Sequence, residues 1–77
     1  MTSPNARIGL VVRRHRELRG LSQEGLAALA EMSRAHVGEL ERGEVTPSIA
    51  TLQKIASALG EKLSDLIIEY ENYPGAT

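Results

Sequence analysis

Apolar residues recur every three or four positions along most of this chain, and Gly20, Gly43 and Gly60 interrupt the pattern. That period predicts helices. The first runs from Ala6 to Arg19, with Ile8, Val12 and His15 on one stripe and Val11 and Leu18 beside it. Residues 1–5, including Pro4, read as a loose lead-in. Ser22 caps a second helix, Gln23 to Ala30, whose Leu26, Ala27 and Ala30 share a face. Glu31 and Met32 form the turn. Ser33 caps a third helix, Arg34 to Glu41, with Val37 and Leu40 inward and Gly43 as its stop. A fourth runs from Ser48 to Leu59, capped by Thr46 or Ser48. Its buried face is Ile49, Leu52, Ile55, Ala56 and Leu59. A fifth spans Lys62 to Tyr70, with Leu63, Leu66, Ile67 and Tyr70 on one side and Ile68 apart. The tail from Glu71 to Thr77 reads as frayed. No strand-like alternation occurs. The fold class is all-α, a five-helix bundle of one domain, ordered over about 6–70.

Length and charge narrow the function. Seventy-seven residues bury roughly 60% of the unfolded chain's surface, so the core is small. No cysteine is present, which removes disulfides and thiolate metal sites. No apolar run approaches the ~20 residues of a membrane span, and the opening MTSPNAR lacks a signal-peptide core. The expected location is the cytoplasm, with no membrane partner. Net charge is −1, but it is unevenly spread. Residues 1–43 carry seven Arg and five Glu, whereas 44–77 carry two Lys and five acids. A locally basic face on a near-neutral protein suits a nucleic-acid partner. Arginines that merely solvate helix surfaces would give the same count.

The segment from Ser22 to Gly43 concentrates the candidate chemistry. Two short helices joined by a tight turn cannot bury much alone, so the other helices serve as scaffold. On the third helix, Arg34, Ala35, Gly38 and Glu39 face away from Val37 and Leu40, with His36 beside them. Arg34 can donate two bonds to guanine, Glu39 can accept from cytosine, and Ala35 offers a methyl to thymine. His36 is sized to reach a base or a phosphate. Gln23 opens the second helix, where free N–H groups favour a phosphate.

The run L-S-Q-E-x-L-A, then Ser33-Arg34, Val37-x-x-Leu40-Glu41-Arg42-Gly43 and Pro47-Ser48, resembles the phage-repressor and Cro type of helix-turn-helix. These are the xenobiotic-response-element family of bacterial regulators, and the match covers about Ile8 to Ile67. The small size, and Val37-Gly38 before E-R-G, also resemble restriction-modification controller proteins. The resemblance implies a lambda-repressor-like DNA-binding domain acting as a transcriptional regulator, without a cofactor. It implies base reading by Arg34, Ala35 and Glu39, and backbone contact by Gln23 and Ser33, with Arg42, Thr46 and Ser48 as looser backbone contacts. It pairs Arg16 with Glu41. It makes Ala27 the small residue between the second and third helices, and sets Glu31 where a glycine of positive φ is usual. It also implies a homodimer on a palindromic operator, joined near the last helix, where the apolar circumference offers Leu63, Ile67, Ile68 and Tyr70 as the seam. In related repressors an acidic patch like Glu24 and Glu31 touches the sigma subunit of RNA polymerase.

Two other classes compete with this reading. Ser33, His36 and Glu39 suggest a catalytic triad, but steps of three residues turn about 300° on a helix and scatter them. No pocket would enclose a nucleophile and its base. His36 and Glu39 alone make too few metal ligands. The reading is therefore not an enzyme. The alternative is an antitoxin-type module that binds a toxin and autoregulates its operon. Leu10, Val11, Leu29 and Ile68, apolar at outward positions, would supply its second surface.

Overall fold

The computed structural model describes residues 2–73. The helices are α1 (Pro4–Leu18), α2 (Gln23–Ala30), α3 (Arg34–Glu41), α4 (Ile49–Ala58) and α5 (Leu63–Glu71). The positions of the tail from Pro74 onward lie outside the described residues. No helix among the described residues is long and apolar enough to cross a membrane.

Four helix starts are set by hydroxyls. Ser3, Ser22, Ser33 and Ser48 each accept from the backbone N–H three residues on. Each bond satisfies one donor that the first helical turn leaves free. The start of α5 is tied differently: the Lys62 N–H donates to Asp65 Oδ2 at 2.9 Å. Pro4 is a correction to the sequence reading. It is the first residue of α1 rather than part of a loose lead-in, because Ser3 caps the helix and proline has no N–H to waste there.

Leu26, Leu40, Ile55, Leu66, Val11, Val12 and Val37 are the largest fully buried side chains. Burial of each contributes about 1.5–3 kcal/mol relative to exposure. Helix α1 packs on both α3 and α5, and α2 packs on both α3 and α4. That arrangement explains three further corrections. Val11 does not look outward; it is buried, since α1 needs a face wide enough for two neighbours. Leu18 and Ile49 are 71% and 62% exposed. Each keeps its stripe's bearing but sits at a helix end, beyond the reach of the core.

Gly9, mid-helix in α1, marks a close approach of two elements. A Cβ there would overlap the backbone carbonyls of Leu40 and Glu41. The end of α3 therefore rests directly on the α1 backbone.

Candidate nucleic-acid interface

The turn between α2 and α3 is closed by Glu31 in the left-handed conformation, φ 56° and ψ 45°. It is the non-glycine residue of positive φ among those described. The Met32 N–H donates to the Ala27 carbonyl at 2.8 Å, which returns the chain for α3. Leu26, Ala27 and Ala30 of α2 are buried together with Val37 and Leu40 of α3. The small alanines let the two helices approach.

With its inner side packed, α3 presents Arg34, Ala35 and Glu39 to solvent, and His36 is half-buried beside them. Gly38 departs from the sequence reading. It is buried rather than outward-facing, because the Arg42 guanidinium lies over it. The Ser33 hydroxyl accepts from the His36 N–H at 3.1 Å and keeps its own proton for a further acceptor.

Beneath this surface lies a charged knot. Arg16 Nε and Nη2 donate to Glu41 at 2.7 and 3.1 Å. Its Nη1 donates to the Leu21 carbonyl at 2.8 Å. Gln23 Nε2 donates to Glu41 Oε1 at 3.0 Å. Glu41 is the buried charged residue of the core, and three donated bonds offset its loss of water. The hydrogen bonds to Glu41 hold the Arg16 guanidinium above its ordinary range, against the opposing effect of burial. The knot joins α1, the α1–α2 turn, the start of α2 and the end of α3. Gln23 was a backbone-contact candidate on sequence grounds; its link to Glu41 was not foreseen.

The flanks of α3 carry the remaining candidates. Arg42 donates through Nε and Nη2 to Glu44 at 2.7 and 3.3 Å. This bond holds the Glu44 carboxyl below the usual carboxylate range. Thr46 Oγ1 accepts from Asn5 Nδ2 at 2.9 Å, tying the α3–α4 loop to the start of α1. Ser48 caps α4 and also bonds the Thr51 hydroxyl. Leu63, Ile67 and Tyr70 are half-buried against the core, while Ile68 is 57% exposed. The Arg7 guanidinium stacks 4.8 Å from the Tyr70 ring centroid.

One cluster lies apart from α3. His15 Nδ1 meets Glu61 at 2.7 Å and Nε2 meets Glu69 at 3.0 Å. A neutral imidazole can donate from only one nitrogen, so two carboxylates favour the charged ring. Burial pushes the His15 pKa down, but the bonds to Glu61 and Glu69 outweigh it and hold it above 6.5. The i, i+46 separation of His15 and Glu61 leaves no local signal in the sequence.

A family model described as helix-turn-helix, HTH_3, matches residues 12–66. The chain belongs to that family. Helix-turn-helix transcriptional regulators of this type bind DNA. The domain is 38% identical over 66 residues to the HTH-type transcriptional regulator DdrOP3 of Deinococcus deserti, covering 86% of this chain and 51% of that one. It is 36% identical over 62 residues to the immunity repressor of Bacillus phage phi105, covering 80% of this chain and 43% of that one. The chain thus spans about half the length of these curated relatives. Among solved structures, it resembles the restriction-modification controller protein C.AhdI of Aeromonas hydrophila. The TM-score is 0.77 at 38% identity, covering 79% of this chain and 92% of that one. The all-α fold class expected from the sequence is that of the family.

Proposed function

We propose that this helix-turn-helix domain reads a palindromic operator as a homodimer, with α3 in the major groove, and controls transcription there. The observation that carries the reading is the row Arg34, Ala35 and Glu39, exposed on a helix whose opposite side is packed into the core. A recognition helix needs that division, since loose packing would cost alignment with base edges. Arg34 reads guanine, Glu39 accepts from cytosine, and Ala35 meets a thymine methyl. His36 serves a neighbouring base. Gln23, Ser33, Arg42, Thr46 and Ser48 line the phosphate path. Its similarity to C.AhdI supports control of a restriction-modification system, and a place of work with the chromosome in the cytoplasm.

Selection of bound duplexes from a random pool tests the function. A two-fold symmetric consensus is expected; recovery of no preferred sequence overturns it. On the selected operator, Arg34→Ala should cost about 1–3 kcal/mol and relax preference at one base pair. Gln23→Ala should weaken all duplexes alike. Equal losses from Arg34→Ala on operator and random DNA would refute the base-reading role.

Glu24 and Glu31 are exposed acids on α2 and its turn. We infer that they offer a contact for the RNA polymerase sigma subunit. Glu24→Lys should keep operator binding and lose activation in a reporter; unchanged activation ends this reading.

A further inference from the structure

Arg42 is the C-cap residue of α3, and its side chain is held on two sides. Gly38 lies one turn earlier, and a Cβ built on it would stand 3.0 Å from Arg42 Nη1. The guanidinium therefore uses the space that glycine leaves on the helix. Glu44, two residues on, takes the Nε and Nη2 edge with both carboxylate oxygens. Glu39 adds attraction from the exposed row without a bond. The pair is open to water, with side chains 58% and 53% exposed.

We propose that Glu44 is a built-in counter-carboxylate for Arg42, occupying its side-on fork in the free protein and yielding it to a DNA phosphate on binding. The inference rests on α3 and its flanks facing DNA. Carboxylate and phosphate compete for the same planar fork, because both accept two parallel N–H bonds from it. Only one of them can hold the Nε and Nη2 edge at a time. Exposure makes the internal bond weak enough to exchange.

The consequence is for affinity. A phosphate contact adds affinity for every sequence alike. When Arg42 must first leave Glu44, that uniform contribution shrinks on operator and random DNA together, and their ratio is kept. Glu44 therefore sets how strongly the domain holds any duplex without itself touching DNA.

The test measures duplex binding by fluorescence anisotropy across a salt series, on the selected operator and on random DNA. Four proteins are compared: wild type, E44Q, R42A and the double variant, each checked for helicity by circular dichroism. E44Q should tighten both duplexes by about two- to fivefold, the range of an exposed ion pair. The slope of log K against log salt should be alike in wild type and E44Q, since both end with Arg42 on a phosphate, and shallower by about 0.9 in R42A. Without Arg42, E44Q should leave the affinity unchanged. No tightening by E44Q overturns the proposal. So does equal tightening without Arg42, which would mean simple relief of charge repulsion. A wild type that binds neither duplex fails before Glu44 is touched, and overturns the DNA-facing assignment itself.

Discussion

At the scale of single residues, Glu41 shows how one charge can serve both fold and interface. Its carboxylate is enclosed and takes bonds from Arg16 and Gln23. Truncating one partner of such a pair strands the other in the core, at a cost of about 3–5 kcal/mol. Glu44 is bonded as tightly in distance but stands in water. Glu41→Ala should therefore lower the melting temperature by several degrees more than Glu44→Ala, measured by thermal unfolding. Equal shifts would contradict the buried-pair account. The Arg16–Glu41 pairing reached the sequence reading through family resemblance. Gln23 could not be added to it, since only the fold sets the start of α2 beside the end of α3.

Among elements, the junction of α1 with α5 carries a pH dependence. His15 of α1 faces Glu61 of the α4–α5 turn and Glu69 of α5. Arg14 lies 3.7 Å from Glu69, and Arg19 lies 3.4 Å from Glu61. The His15 pKa is raised in the folded state. Its contribution to stability is thus full below the unfolded value near 6.5 and is lost as pH climbs through the folded one. Melting temperature should fall as pH rises across that window, and His15→Leu should flatten the profile. A wild-type profile with the same slope as His15→Leu would exclude this account. Helix limits at this scale were largely readable beforehand, because capping and stop signals are local. Pro4 departs from the loose lead-in because Ser3 before it caps the helix.

For the whole molecule, the prediction of assembly centres on α5. One recognition helix covers about four or five base pairs, so paired modules and a palindrome are the usual solution. Ile68 stands exposed on α5 next to half-buried Ile67, with Leu63 and Tyr70 on the same helix. A two-fold seam there would cover Ile68 and set half-sites about 34 Å apart. Ile68→Asp should shift sedimentation to monomer and weaken operator binding strongly, with circular dichroism still helical. A wild type that sediments as a monomer at tens of micromolar would refute the seam.

The chain's own pattern determined five helices among the described residues, where Ser22 and Ser33 begin two of them, and most of the stripes that enter the core. Those features depend on groups within a turn or two of one another, so they are written in sequence order. Tertiary structure alone decided what meets across the fold. It turned Val11 inward by setting α1 between α3 and α5, and left Ile49 outside at the first residue of α4. It gave His15 two carboxylates, and made Gly9 the seat of α3 and Gly38 the seat of Arg42. These are contacts between surfaces whose relative placement follows from the packing of all five helices together, and no local spacing encodes that placement.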